Sequence, residues 1–248
     1  MLAMGNVAVL GNAEETVNDN CFEIHPISEN TLIVYFGHSI SEETSKRVRY
    51  AKELILREMK TLVLDIIPSY SSIHLTYDLS RTNYYRFQSW LRECLVQVET
   101  DLSAEERPNT IEIPVYYGEE VGLDLIEVAE ALQLDRQELI DIHAGNLYTV
   151  YAIGFCPGFA YLGNIDERIR MARKETPRIK VPAGSLGIAD GQTAIYPSES
   201  PGGWQILGRT PIALIDYSLE TLTPFQMGDR VRFVPITKDE FHSMGGII

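Results

Sequence analysis

Residues 154–211 hold the densest chemistry of the chain. They are 58 of 248 positions, yet contain 9 of the 18 Gly and 6 of the 12 Pro. Seven bases (Arg168, Arg170, Arg173, Lys174, Arg178, Lys180, Arg209) face five acids (Asp166, Glu167, Glu175, Asp190, Glu199), so this segment carries +2 while the remainder carries −16. Pro and Gly fix backbone shapes that other residues resist, and Gly lets the main chain approach a ligand closely. A basic, loop-rich stretch in an acidic chain reads as an anion site for carboxylate or phosphate. The competing reading is a set of tight barrel corners with solvated Arg and Lys between them.

Motif tests narrow the chemistry. Gly203-x4-Gly208-Arg209-Thr210 has the outline of a phosphate-cradling loop. Arg stands where that motif needs Lys, and Pro211-Ile-Ala-Leu-Ile reads as a strand instead of the required helix. Gly184-Ser185-x-Gly187 has the outline of a nucleophile elbow, but Ala183 replaces its first Gly and no strand–turn–helix follows, so Ser185 reads as a turn serine. Cys156 has no base close in sequence to lower its pKa and reads as a small apolar residue. The five His, at 25, 38, 74, 143 and 242, form no H-x-x-x-H pair, and no metal site is expected. His143 has two readings: a helix C-terminal cap before Gly145, or a general acid/base beside the next strand.

The whole chain must carry such a site in water. Apolar residues make up 45% and charged residues 23%, with a net charge of −14 and a pI of about 4.8. That acidity repels phosphate backbones and anionic lipid, and argues against nucleic-acid or membrane-surface binding. Mean hydropathy is −0.07, and no apolar run approaches the ~18 residues of a spanning helix. The three Cys are odd in number and lack metal-like spacing, which fits a reduced, cytoplasmic protein. The N-terminus lacks the basic flank of a secretory signal.

The elements that must position the site read as follows. Residues 31–36 form a strand. Ser39 with Glu42 patterns as a capping box for a helix over 41–58, with Val48, Ala51, Leu54 and Ile55 on one face. Residues 61–67 read as a buried strand closed by Pro68, and 73–77 as its partner. A helix over 81–99 has Phe87, Leu91, Leu95 and Val98 on one stripe. This is a layered α+β unit with helices on one sheet face. A boundary falls in the polar run 103–109. Beyond it, 111–117 is an edge strand because of Pro114. Asp124 with Glu127, and Asp135 with Glu138, open two short helices. Short β runs at 148–153, 187–189, 193–196, 204–207, 212–215 and 231–234 then suggest a closed or nearly closed barrel.

The residues also resemble a known family. The runs are His143-x4-Tyr148-x-Val150-x3-Gly154-Phe155-Cys156-Pro157-Gly158-Phe159-Ala160-Tyr161-Leu162, Thr176-Pro177-Arg178-x2-Val181-Pro182-Ala183-Gly184-Ser185-x-Gly187-Ile188-Ala189, Gly191-Gln192-Thr193-x-Ile195-Tyr196-Pro197 and Ser200-Pro201-Gly202-Gly203-Trp204-x3-Gly208-Arg209-Thr210-Pro211. Together they look like the allophanate hydrolase subunit 1 family. The likeness is dense over 143–211; before that it lies in length and element order. Cys156 and Asp190 stand where the family varies or carries another small residue. The resemblance implies an α+β fold, with a small α/β domain at 1–108 and a cyclophilin-like β-barrel domain at 109–248. It also implies partners: a related second subunit of C type and a third of A type. With them, family members cleave 5-oxoproline to glutamate and consume ATP. Two alternatives belong to the same family: inhibition of a sporulation-type histidine kinase, and an allophanate hydrolase or urea carboxylase-type carboxyltransferase.

Opening a lactam needs a held anion and stabilised oxyanion or phosphoryl charge. Lys180, Arg178 and Arg209 are expected to supply the positive charge, gathered in one cationic cup. Gln192, Thr193 and Tyr161 are expected to give neutral hydrogen bonds. The backbones of Gly158, Gly202 and Gly203 would offer close N–H donors, and His143 would move the proton. Phe159 and Trp204 either line the same surface or belong to the barrel core; for Trp204 the core reading is favoured.

Overall fold

A computed structural model describes residues 22–100, 108–218 and 221–248. Cys21, the N-terminal stretch and residues 103–107 of the expected boundary lie outside the described residues.

The first part has strands β1 (Glu23–Pro26) and β2 (Thr31–Tyr35), helix α1 (Glu42–Met59), strands β3 (Val63–Ser69) and β4 (Ser72–Tyr77), and helix α2 (Tyr84–Thr100). The cap of α1 is Ser41, not Ser39: the Ser41 hydroxyl accepts the Thr44 N–H at 3.1 Å. Both serines precede an acidic turn, and only the one beside the first helical residue can reach that amide. Val48, Ala51, Leu54 and Ile55 of α1 and Phe87, Leu91, Leu95 and Val98 of α2 are fully or almost fully buried. They cluster with the inward residues Leu32, Val34, Ile73, Leu75 and Tyr77 of the antiparallel sheet β1-β2-β4-β3. Each large side chain so buried contributes about 1.5–3 kcal/mol. β3 departs from expectation. It runs on through Pro68, and Leu64 is 64% exposed despite the continuous apolar run.

The second part adds β5 (Thr110–Val115), α3 (Leu125–Ala131), α4 (Arg136–Gly145), β6 (Leu147–Ile153), β7 (Ala160–Gly163) and β8 (Arg178–Val181). There follow β9 (Ser185–Ala189), β10 (Gln192–Ile195), β11 (Ser200–Gly202), β12 (Gln205–Arg209), β13 (Arg230–Pro235) and α5 (Lys238–Ser243). Residues 212–215 form no strand, although their types favour one. The ladder continues from β3 through one pair, Ser69 with Ala152, into β6, then β7, β10, β9 and β12. On its other side β6 pairs β13, which runs parallel to β5. The sheet curls until Tyr116, just past β5, meets Arg209 of β12, each N–H donating to the other's carbonyl at 2.9 Å. That bridge joins the two ends; among the described residues, no continuous ladder closes the ring. Tyr148, Val150, Leu162, Leu186, Ile188, Leu207 and Phe233 fill the interior. β8 and β11 form a separate two-stranded flap over a third cluster. Among the described residues, no helix is long and apolar enough to cross a membrane.

Asp124, expected to cap α3, makes no side-chain cap hydrogen bond. Its carboxylate accepts Lys174 Nζ at 2.8 Å, Arg178 Nη2 at 2.6 Å and the Ile206 N–H at 2.7 Å. Its own N–H donates to the Ile206 carbonyl at 2.9 Å. One side chain, 1% exposed, thus ties the start of α3 to β12 and to the ribbon at 172–178. Burial alone would raise the Asp124 pKa; hydrogen bonds from Arg178, Lys174 and Ile206 outweigh it and hold the carboxyl below its ordinary value.

Asp124→Ala strands two partly buried cations and should cost about 3–5 kcal/mol in urea unfolding. A lowered folded pKa gives stability at neutral pH that is lost as pH falls below about 4. The wild type should show that acid loss, and the variant should show less of it.

Candidate functional site

His143, expected to move a proton, is 0% exposed. It sits in the last turn of α4, ringed by Tyr117, Tyr148 and Phe233. Its Nε2 meets the Thr193 hydroxyl at 3.0 Å, and that hydroxyl donates to the Gly187 carbonyl at 3.0 Å. A hydroxyl has one proton to give, so Nε2 carries the imidazole hydrogen. Nδ1 then accepts from the Tyr117 hydroxyl at 2.9 Å. Burial drives the His143 pKa down to about 3. The imidazole is a neutral, fully bonded core group with no path to a substrate. Thr193, also 0% exposed, serves the same network and not a ligand.

The expected cup of Lys180, Arg178 and Arg209 does not form. Lys180 is 73% exposed and pairs with Glu199 at 2.9 Å on the flap surface. Arg209 Nη1 donates to the Ile247 carbonyl at 2.8 Å. Arg178 belongs to Asp124, although its Nη1 is buried without a partner among the described residues. These cations take different acceptors because those acceptors come from distant parts of the chain.

A different surface gathers the remaining groups. Tyr161 of β7 lies with its ring 4.9 Å from Phe159, 6.1 Å from Trp204 and 6.1 Å from Tyr70 in the β3–β4 turn. Tyr70 accepts from Gln192 Nε2 at 2.9 Å and stacks on Tyr151. Phe159 and Trp204 are buried and pack with Tyr196 in the third cluster, so both are core, with Tyr161 as the partly exposed edge of that core. Arg173 is exposed and pairs with no acid among the described residues. Burial raises the hydroxyl pKa of Tyr161 and Tyr196, and Arg173 opposes that rise at both. At Tyr196 the Trp204 N–H and Arg178 oppose it too. Both phenols therefore stay protonated near neutral pH as donors, beside a free cation.

Two glycines shape this edge. A Cβ on Gly202 would lie 2.3 Å from the Tyr196 hydroxyl, so only Gly lets the flap close over that ring. Gly158 has φ +80, and a Cβ there would lie 2.9 Å from the Leu214 carbonyl. Gly203 contributes its carbonyl, which accepts the Lys174 N–H at 2.7 Å, and so fastens the ribbon. The phosphate-loop outline 203–210 is strand β12, which excludes that motif. Tyr70, Tyr196, Asp124 and the role of Arg173 were not foreseen. Tyr196 lies in one of the family-like runs, and Arg173 stood among the segment's bases.

The chain belongs to the carboxyltransferase-domain family, subdomains C and D, whose pattern matches residues 22–225. It is 37% identical over 232 residues to the B subunit of the Bacillus subtilis (strain 168) 5-oxoprolinase, covering 90% of this chain and 96% of that one. The solved structure of TTHA0988 is 37% identical with a TM-score of 0.73; the match covers 85% of this chain but 40% of that longer one. Kluyveromyces lactis urea carboxylase, at 18% identity and a TM-score of 0.67 over 89% of this chain and 22% of that one, shares the fold.

A neutral buried imidazole destabilises the fold wherever the unfolded state binds the proton and the native state does not. Stability should therefore fall as pH drops below about 6.5, by about 1.4 kcal/mol per pH unit. His143→Gln should flatten that slope between pH 6.5 and 4.5 in denaturant titrations, while lowering stability at pH 7.

Proposed function

We propose that the chain is a B-type subunit of a 5-oxoprolinase complex that opens 5-oxoproline to glutamate at the expense of ATP. Its 37% identity to the Bacillus subtilis protein, across nearly the full length of both, carries this reading. The chemistry of the Tyr161 edge supports it. A five-membered lactam acid offers a flat ring and one carboxylate. Tyr161 and Tyr70 present rings, the Gln192 amide and the tyrosine hydroxyls present neutral hydrogen bonds, and Arg173 presents an unpaired cation. In this reading Arg173 holds the carboxylate and the tyrosines bracket the ring.

Transfer of the ATP γ-phosphoryl group to the lactam carbonyl oxygen, with release of ADP, activates the carbonyl carbon. Water adds there, the C–N bond breaks as the ring nitrogen takes a proton and leaves as an amine, and a second water hydrolyses the resulting acyl phosphate to the carboxylate and phosphate. This chain's part is to bind and orient the lactam. The partners are a related C-type subunit and an A-type subunit, and the chain alone is inactive. The carboxyltransferase reading rests on the family's name and on an 18% identical fold neighbour, against 37% identity over nearly the full length for the oxoprolinase reading.

The test is 5-oxoproline-dependent ATP hydrolysis by the chain with and without its co-purified partner subunits. Activity in the full complex supports the proposal, and none in any combination overturns it. Within an active complex, Arg173→Ala should raise the KM for 5-oxoproline about 10–100-fold, the value of one charged hydrogen bond, with kcat within about threefold. An unchanged KM would remove Arg173 from the substrate surface.

A further inference from the structure

Ser185 opens β9 directly across the ladder from Arg209 of β12. Cross-strand partners share a face, with Cβ atoms about 4.5–5.5 Å apart. The Arg209 stem passes close by: a Cβ on Gly184 would lie 3.2 Å from Arg209 Cγ. The backbone of Ser185 is fully engaged, its N–H donating to Pro182 at 3.2 Å and its carbonyl accepting from Tyr196 at 2.9 Å. Its hydroxyl is not. Ser185 is 0% exposed, and neither Ser185 Oγ nor Arg209 Nε meets a hydrogen-bond partner among the described residues.

Buried polar groups in folded proteins find partners, so a concentration of orphans marks something the chain alone does not satisfy. Here a cationic N–H and a hydroxyl come from cross-strand partners, each without a hydrogen-bond partner among the described residues. Arg209 is only partly buried, and its other end reaches the surface at Ile247, which leaves a route along the guanidinium. A small oxyanion matches this set: its oxygens accept every bond that these groups can donate, and its charge pairs with Arg209. We propose that Ser185 and Arg209 form a seat for a small oxyanion, a phosphate or a carboxylate. The seat does not depend on the reading of the Tyr161 edge as a lactam site.

The experiment is calorimetric titration of the full chain with inorganic phosphate and, separately, with acetate, for wild type, Ser185→Ala, Arg209→Gln and Lys180→Ala. Phosphate binding that weakens at least tenfold in Ser185→Ala and Arg209→Gln, but not in Lys180→Ala, supports the seat and assigns it to phosphate. The same pattern with acetate alone supports the seat and assigns it to a carboxylate. Equal weakening in all three variants means non-specific surface attraction and overturns it, as does the absence of binding of either anion. If a core variant fails to fold, protection of wild-type Arg209 from phenylglyoxal by phosphate or acetate, read by mass spectrometry, decides instead. Modification at an undiminished rate overturns the proposal.

Discussion

Asp124 keeps a carboxylate where almost no water reaches it, and such a charge persists only when donors surround it. Those donors are Lys174, Arg178 and the Ile206 amide, and each belongs to a part of the chain that must be held in place. Ile206 lies in β12 beside the sheet's closing bridge. Lys174 and Arg178 lie in the ribbon 172–178, which also carries Arg173. The same ion pairs that neutralise Asp124 leave Arg173, in the same ribbon, without an acid among the described residues. The charge that faces outward is therefore a remainder, set by which cations the buried carboxylate takes first.

The two sealed polar groups divide the labour. His143, with Tyr117, Thr193 and the Gly187 carbonyl, forms a neutral network in the main interior and fastens α4 to β10 and β9. Asp124 forms a charged one at the rim. Neither lies on the Tyr161 edge, yet both hold residues that flank it. Thr193 is one residue from Gln192, whose amide reaches Tyr70 across the seam between the two parts of the molecule. That seam also holds the single β3–β6 pair and the ion pair of Arg230 with Glu42 at 2.8 Å.

Much of the fold was legible because long elements repeat their apolar period. The stripes of α1 and α2, and the alternation of β4, carry their own signal over many residues. Strands of three or four residues such as β7, β8 and β11 do not, and they were missed. Residues 212–215 have strand types but no neighbouring strand to pair with. At the candidate site, the dense Gly, Pro and Arg content pointed to the stretch that holds Tyr161, Arg173 and Gln192 but not to the groups with which its cations pair. A local rule reads Asp124 as a helix cap, whereas its actual donors lie 50, 54 and 82 residues further on. Position and partner-blind charge likewise suggested His143 as a proton carrier and Lys180 as a ligand to an anion. Burial reversed the first, and Glu199 claimed the second.

The most direct measurement is amide hydrogen exchange of Asp124→Asn against the wild type, followed residue by residue. If the buried carboxylate holds the ribbon, protection should drop at residues 172–178 and at Ile206, while α1 and β4 keep theirs. Unchanged protection along the ribbon, or a uniform loss across the whole chain, would contradict it.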